Sequence, residues 1–305
     1  MNAIETTGLT CRFRQLEAVH SLDLTVPAGS VYALLGPNGA GKSTTIKMLM
    51  NLLRPTAGTA RVLGMDTHKL GPAEFARIGY VAETIDLPEW MTVRGFLDYC
   101  RPFYKKWDIE LEKTLLAKFD LPPARKIKHL SRGMRMKTLL LSVLAYRPDL
   151  LVLDEPFSGL DPVVRDDFIR GVLEVSSLGN WTVFVSSHDI EEVERLADWI
   201  GLIDQGRLKF AERLDSLQQR FRRIEVTRAN SGAPPTQRPA HWLGWEDAGS
   251  LTRFIETHYK PGETEKLCAE IFPGANVTAQ PLPLREIYIS LARGQAAPPA
   301  ASSLR

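Results

Sequence analysis

Cysteine is scarce in this sequence, and no apolar run is long enough to cross a membrane. The 305 residues include three cysteines, Cys11, Cys100 and Cys268, and no C-x-x-C or Cys/His metal-ligand spacing. An odd number of widely separated cysteines argues against a disulfide framework and favours a reduced, cytosolic chain. The N-terminus has no apolar signal-peptide core, and the longest apolar runs are far shorter than the ~20 residues of a membrane helix. We therefore expect a chain that does not span a membrane by itself.

An excess of charge of one sign is also missing. The chain carries 38 basic and 36 acidic residues, which gives a formal net charge of +2. Binding to a nucleic-acid backbone needs a basic tail or stripe, so we expect no nucleic-acid partner. The content of 44% hydrophobic and 24% charged residues is typical of an ordinary globular protein with room for one large domain and a smaller one.

Strand and helix patterns alternate through most of the chain. The run "SVYALLG" leads directly into a glycine-rich turn, and "KSTTIKMLMNLL" predicts a helix from Lys42. Helical patterns dominate residues 87–146. Strand patterns return at 150–156 and 181–189 with a helical pattern between them, which predicts a parallel crossover and an α/β sheet. A turn at Gln205-Gly206 predicts a hairpin.

A change of pattern near residue 215 predicts a second domain. We expect the α/β part to occupy residues 1–215. A small α+β domain should occupy residues 216–293, built from short strand and helix patterns on either side of the loop "NSGAPPTQRPA". Residues 294–305 are rich in alanine, proline and serine and predict a disordered tail.

The glycine-rich turn "GPNGAGKST" matches the pattern G-x-x-x-x-G-K-[ST] at Gly36, Gly41, Lys42 and Ser43. Glycines let such a loop fold around phosphates with its backbone N–H groups turned inward, at the positive end of the following helix. Lys42 would supply a charge to the outer phosphates, and the Ser43 hydroxyl could ligate Mg²⁺. The alternative is a glycine-rich turn with a surface lysine, which is the weaker interpretation between an apolar strand and a helix.

Three further side chains follow the ends of predicted strands. Asp154 and Glu155 come after the apolar run of "LLVLDEP", and open α/β sheets place ligands at the carboxyl ends of their strands. Asp154 suits a Mg²⁺ site through a water, and Glu155 suits the polarisation of an attacking water. His188 follows "TVFVSS" on a strand expected beside that of Asp154, from which its imidazole could reach a γ-phosphate. The alternatives are a solvated turn for the two acids and a structural or exposed histidine.

The segment "LSRGM", Leu130 to Met134, precedes the apolar helical run "KTLLLSVLAY". Ser131 is placed to be the N-cap of that helix. The same segment could also be half of a catalytic site whose other half lies elsewhere. Its five residues do not decide between these interpretations.

The order of these motifs resembles that of the ATP-binding cassette (ABC) ATPases over residues 3–212. The resemblance rests on this ordered set: Phe13, "GPNGAGKST", "IGYVAE", "LSRGM", "LLVLDEP", "SGLDP" and "VSSH". It implies a P-loop NTPase cassette with a mainly parallel sheet core, an antiparallel β subdomain and a helical subdomain at 87–146. In that family two cassettes face each other head to tail. Each ATP lies between the phosphate-binding loop of one cassette and the signature segment, normally LSGGQ, of the other.

The resemblance also implies a role for each matching residue. Nine consecutive residues would form the loop around the phosphates of ATP: Gly36, Pro37, Asn38, Gly39, Ala40, Gly41, Lys42, Ser43 and Thr44. Asp154 would support Mg²⁺, Glu155 would be the general base, and His188 would sense the γ-phosphate. Phe13 would stack on adenine, the alternative being a core aromatic residue.

Three residues would act across the dimer interface. Ser131 would donate to the γ-phosphate in the partner's site, with the Gly133 N–H beside it at the positive end of the following helix. Asp161 in "SGLDP" would lie in the loop that touches the opposite cassette.

Two motifs depart from the family pattern. Glu83 stands where a glutamine usually senses Mg²⁺ and the attacking water. An ionised glutamate only accepts hydrogen bonds, so Glu83 could bind the cation more strongly or repel the γ-phosphate. Arg132 and Met134 replace a glycine and a glutamine of the signature. Arg132 could add a cation near the phosphates or point outward to solvent, and both possibilities stay open.

The function implied by the resemblance is that of a motor subunit, which hydrolyses ATP and drives a separate integral membrane permease of the export type. A second copy of the chain is the expected partner cassette, and the permease is expected to hold the chain at the cytoplasmic face of the inner membrane. One alternative is a soluble ABC ATPase acting on ribosomes or DNA. A single phosphate-binding loop, and the lack of heptads in the about 110 residues between Lys42 and Asp154, argue against it. A second alternative is a regulatory module that binds nucleotide without hydrolysing it. The retained Glu155 and His188 argue against this alternative.

Overall fold

The computed structural model describes residues 1–82, 86–177, 181–229 and 238–294, with the backbone alone at 174–177 and 292–294. Among the predicted site residues, Glu83 lies outside these ranges. The chain divides into two compact units, Met1–Glu212 and Arg213–Arg305. Within the described ranges, no helix has the length and apolar character that a membrane crossing requires.

The larger unit alternates strands and helices. In chain order its elements are β1 (Asn2–Phe13), β2 (Leu16–Leu22), β3 (Thr25–Pro27), β4 (Val31–Leu35), α1 (Lys42–Leu49), β5 (Ala57–Val62), β6 (Met65–Asp66), α2 (Pro72–Phe75), β7 (Ile78–Ala82), α3 (Val93–Cys100), α4 (Ile109–Lys118), α5 (Arg132–Leu144), β8 (Leu150–Asp154), α6 (Pro162–Ser177), β9 (Thr182–Ser187), α7 (Ile190–Leu196), β10 (Trp199–Asp204) and β11 (Arg207–Arg213). Short 3-10 helices occupy Thr67–Lys69, Arg101–Phe103 and Ile127–His129. The predicted hairpin joins β10 to β11, and its turn residues Gln205 and Gly206 have the positive φ values, 48° and 72°, of a tight hairpin turn.

A six-stranded sheet forms the centre of this unit, in the order β11-β10-β4-β9-β8-β7. The strands from β10 to β7 are parallel to one another. Every residue of β4, β8 and β9 is buried, because these strands carry apolar runs and helices cover parallel sheets on both faces. The predicted parallel crossover from β8 through α6 to β9 is confirmed. As a result, the carboxyl ends of β4, β9, β8 and β7 lie side by side at one edge of the sheet.

A second sheet, in the order β2-β1-β5-β6 with β3 also on β1, is antiparallel. Its longest strand, β1, is not signalled by an apolar run. Ile4, Leu9 and Cys11 point into the core, and Thr6 occupies a buried position between them. The Thr6 hydroxyl donates to the Leu22 carbonyl at 2.7 Å and accepts from the Leu24 amide at 2.8 Å. These two bonds satisfy a polar side chain that would otherwise weaken the strand core.

Residues 86–146 carry α3, α4 and α5. Thr92 caps α3 by accepting from the Gly95 amide at 3.0 Å. This helical part is held around Glu112, which is fully buried. Arg94 binds its carboxylate, and the Arg101 guanidinium and the Trp107 indole donate to Oε2 at 2.9 and 2.7 Å. Burial raises the pKa of Glu112, but the bonds from Arg101 and Trp107 outweigh it and hold the pKa below its ordinary value.

The smaller unit is an antiparallel sheet with helices. Its elements are α8 (Leu214–Arg220), β12 (Arg222–Thr227), β13 (Trp242–Asp247), β14 (Leu251–Glu256), α9 (Glu263–Ile271), β15 (Asn276–Pro281) and α10 (Leu284–Gly294), with sheet order β13-β14-β12-β15. Its core contains Ile224, Val226, Trp242, Phe254, Cys268 and Phe272. Strand β13 is not predicted from the sequence. It is irregular, because Gly244 has a positive φ and the pairing with β14 shifts register between Leu243 and Glu246.

Candidate functional site

The glycine-rich loop after β4 is tightly packed against its neighbours. A Cβ on Gly36 would lie 2.2 Å from the Ile203 carbonyl oxygen, and one on Gly41 would lie 2.5 Å from the Ala18 carbonyl oxygen. Gly41 also has a φ of 105°, which L side chains rarely adopt, and it directly precedes α1. Only glycine fits at these two positions, so the loop conformation depends on both.

Lys42 begins α1 and is 5% exposed. Its Nζ donates to the carbonyl oxygens of Gly36 at 2.7 Å and Pro37 at 3.1 Å. The same Nζ lies 2.9 Å from Glu155 Oε1. The ammonium group is therefore held inside the loop and next to the carboxylate that follows β8.

Ser43 and Asp154 face each other between α1 and the end of β8. The Ser43 hydroxyl donates to Asp154 Oδ1 at 2.9 Å, and the Ser186 hydroxyl donates to the same oxygen at 2.7 Å. Hydroxyl and carboxylate oxygens are hard donors that suit Mg²⁺, which keeps several waters and binds phosphates together with one or two carboxylates. Across the described residues, no group of three His, Cys, Asp or Glu side chains could hold a metal alone. The donor set thus fits Mg²⁺ bound jointly with phosphate.

Glu155 stands at the middle of the site in an uncommon backbone conformation. Its φ is 49°, and its amide donates to the Ser186 hydroxyl at 3.0 Å. One carboxylate oxygen faces Lys42 and the other lies 2.8 Å from His188 Nδ1. A non-glycine residue with positive φ costs free energy and persists where surrounding contacts impose it, often at functional sites.

His188 follows β9, which pairs with β8 as the sequence predicts. The turn after it is fixed by Ser187, whose hydroxyl accepts from the Asp189 amide at 3.0 Å and donates to Glu192 Oε2 at 2.8 Å. Arg165 of α6 binds both Asp189 and Glu192, each at 3.1 Å. Burial raises the pKa of Glu192 to about 7, against the opposing effects of Ser187 and Arg165.

The signature segment forms the start of α5. Ser131 is the N-cap, and its hydroxyl accepts from the Met134 amide at 3.2 Å. A Cβ on Gly133 would lie 2.5 Å from Val164 Cγ1 at the start of α6, so this glycine packs directly against the neighbouring helix. The N-cap interpretation of Ser131 is therefore confirmed.

Asp161 and Phe13 complete the predicted set. The Asp161 carboxylate accepts from the Val164 amide at 3.0 Å and so caps α6. Phe13 ends β1 and is 47% exposed, so the alternative of a core aromatic residue is wrong.

The structure thus brings most of the predicted residues into two groups. The phosphate-binding loop, Asp154, Glu155 and His188 meet at the carboxyl edge of the central sheet, whereas Ser131, Gly133 and Asp161 lie at the starts of α5 and α6. Sequence reasoning missed Ser186, Arg165 and Glu192, which hold Asp154 and the turn after His188. The two serines of "VSSH" could have indicated these contacts, because hydroxyl groups at the end of a buried strand need hydrogen-bond partners.

Comparison with known proteins agrees with this geometry. The ABC transporter family model matches residues 19–158. The chain is 40% identical over 214 residues to the daunorubicin/doxorubicin resistance ATP-binding protein of Streptomyces peucetius, which covers 68% of this chain and 64% of that protein. It is 33% identical over 223 residues to the bacitracin transport ATP-binding protein of Bacillus licheniformis, with 72% of each chain covered.

A solved structure of the ATP-binding subunit of an ABC transporter superimposes with a TM-score of 0.64 at 28% identity, over 71% of this chain and 92% of that one. The predicted P-loop α/β fold is confirmed by this likeness. This chain belongs to the family of ABC transporter ATP-binding subunits and is an ATPase of that family.

Proposed function

We propose that this chain is the ATP-hydrolysing motor subunit of an export system and works with a permease made as a separate chain. The observation that carries the proposal is the contact of Glu155 with both Lys42 and His188, beside the Ser43–Asp154 pair. An ammonium group that can bind phosphate, a carboxylate that can polarise water and an imidazole thus lie together at one edge of the sheet. We also propose that residues 1–215 form the ATP-binding domain and residues 216–293 a separate α+β domain.

ATP binding would use the loop from Gly36 to Thr44. Its backbone N–H groups and the positive end of α1 favour phosphate oxygens, and Lys42 adds a full charge. An incoming γ-phosphate would compete with Glu155 for the Lys42 ammonium group. Ser43 and Asp154 would hold Mg²⁺, which neutralises charge on the phosphates when it is bound.

Hydrolysis would depend on Glu155. Once phosphate engages Lys42, the Glu155 carboxylate can accept a hydrogen bond from the attacking water and take its proton. His188, whose Nδ1 lies 2.8 Å from the other Glu155 oxygen, would hold that carboxylate in position and place its ring beside the γ-phosphate. Phe13 is exposed, as a residue that stacks on adenine must be. Glu83, which follows β7 in the sequence, would contribute its carboxylate to the Mg²⁺ site.

A second copy of the chain would complete each site. Ser131 and the amide of Gly133 at the start of α5 would meet the γ-phosphate held by the partner. Asp161 would lie at the same interface. The exposed position of Ser131 and Asp161 supports this arrangement.

The export assignment is supported by the names of the relatives, which describe drug resistance and bacitracin transport. The permease would hold the chain at the cytoplasmic face of the inner membrane. The transported compound would then be chosen by the permease.

The test is Mg-ATP turnover of the purified chain and of Glu155→Gln. We expect the variant to keep ATP binding and to lose about 100-fold or more in turnover, because it lacks a proton acceptor. It should also form an ATP-dependent dimer in size-exclusion chromatography. Glu110→Gln, at an exposed position of α4, is the matched control and should behave as wild type.

Two results would contradict the proposal. Unchanged turnover in Glu155→Gln would remove Glu155 as the base. ATP binding without turnover in the wild-type chain would favour the regulatory module instead.

A further inference from the structure

We propose that Arg132 is a positioning residue that fastens the signature segment of each chain to that chain's own loop 158–161. The two elements would then move as one body when the dimer closes. This inference rests on the proposed function, because it concerns how one chain presents Ser131 and Asp161 to another.

The contact is between the Arg132 guanidinium and the backbone of Gly159. A Cβ built on Gly159 would lie 2.6 Å from Nη1, 2.8 Å from Cζ and 3.2 Å from Nε of Arg132. The guanidinium therefore covers the side of Gly159 where any other residue would carry its side chain. Arg132 is an exposed residue, as one of the two possibilities left open by the sequence expects, and its guanidinium lies against the chain's own loop.

The loop needs such support at its tip. The Ser158 amide donates to the Glu155 carbonyl at 3.2 Å and the Leu160 amide to the Phe157 carbonyl at 3.1 Å, so two turns follow each other. Phe157 and Leu160 are buried and anchor the loop from below. Gly159, by contrast, is exposed and has a φ of 67°. The Arg132 guanidinium covers this tip from outside.

The first turns of α5 make two more contacts with α6. Gly133 packs against Val164, and Lys137 Nζ forms an ion pair with Asp167 at 2.8 Å. Three successive contacts thus run from the loop tip along the first turns of α6. The segment that carries Ser131 and the segment that carries Asp161 are consequently joined along their length, with Arg132 at the end nearest the interface.

The test combines two substitutions in a double-mutant cycle. Arg132→Met removes the guanidinium, and Gly159→Ala places a methyl group where the guanidinium lies. We expect each to lower turnover at saturating Mg-ATP by about five-fold or more without changing ATP affinity of the isolated chain. Gly159→Ala also strains the loop, because Gly159 has a φ of 67°, but in the double variant its methyl group no longer meets the guanidinium, so the combined loss should be smaller than the product of the two single losses. Turnover losses that multiply would overturn the proposal.

A second measurement uses the chain without nucleotide. Hydrogen exchange of the Leu160 amide and its neighbours should accelerate in Arg132→Met, because the loop tip loses its cover. Arg132→Lys should accelerate it equally, since an ammonium group lacks the flat face of the guanidinium. Arg135→Met, which alters the next arginine of α5, should leave the exchange unchanged.

Wild-type exchange in Arg132→Met or in Arg132→Lys would contradict the contact. A wild-type chain that shows the predicted exchange pattern but no ATP turnover would instead contradict the proposed function and leave the contact standing.

Discussion

Glu192 offers a direct test of the electrostatics behind the His188 turn. This carboxyl group is 5% exposed and sits between Ser187 and Arg165. Burial raises its pKa from the ordinary value of 4.5 to about 7. We predict that Glu192→Gln stabilises the protein at neutral and alkaline pH, because glutamine keeps the shape and never carries the buried charge.

The magnitude follows from the difference between the folded and unfolded pKa values. At about 1.4 kcal/mol for each pKa unit, the ionised carboxylate costs the folded state about 3 kcal/mol above pH 7. Between pH 4.5 and about 7 the folded chain holds this proton more tightly than the unfolded chain does. The free energy of unfolding of the wild type should therefore fall through that range as pH rises, and the penalty should vanish below it.

The assay is urea unfolding at constant ionic strength between pH 4.5 and 8. The difference in unfolding free energy between Glu192→Gln and wild type should be close to zero at the low end and approach about 3 kcal/mol in favour of the variant at the high end. Glu191→Gln, at the exposed neighbouring position, should show no such trend. A difference that does not grow with pH would mean that Arg165 and Ser187 keep Glu192 ionised, and it would refute the reasoning.

Three other predictions concern the dimer, the permease and the helical part. Mixing a Ser131→Arg chain with a Lys42→Ala chain should restore turnover above that of either homodimer, since one composite site then keeps both elements; no restoration would exclude a site shared between chains. Trp90 is 71% exposed and should anchor the permease. Trp90→Ala should therefore keep its fold and basal turnover while losing membrane association. Leu87→Ala, at a buried position, should instead be destabilised by about 2 kcal/mol or more. Glu112→Gln should lower the free energy of unfolding by about 2 kcal/mol in urea, because the partly exposed Arg94 and Arg101 lose their charged hydrogen-bond acceptor, and an unchanged free energy of unfolding would contradict that account.

The elements around the phosphate-binding loop could be predicted because their residues are tied to fixed places in the fold. Gly36, Lys42 and Asp154 can be recognised because each belongs to a motif at or just after the end of a buried strand. A run of apolar residues in the sequence predicts each of those strands. The position of His188 beside Glu155 follows from the same rule, as parallel neighbouring strands end at one edge.

Other features depend on partners that are distant in sequence. Ser186 holds Asp154 only because β9 pairs with β8 in one register. The buried carboxylate of Glu112 is stable only where Arg94, Arg101 and Trp107 converge. Nothing in the sequence around Arg132 indicates that its side chain would lie over Gly159. Such contacts are set by packing between elements, which local patterns do not contain.

The scarcity of cysteine makes this chain suitable for site-specific labelling. Cys11 and Cys268 are buried, and burial raises the pKa of the half-buried Cys100 thiol to about 11, so few native thiolates form near neutral pH. Val163 lies in the first turn of α6, between Asp161 and Val164, and is 72% exposed. A cysteine introduced there would react first with a fluorophore, and its emission would report on a dimer interface closing around ATP in real time.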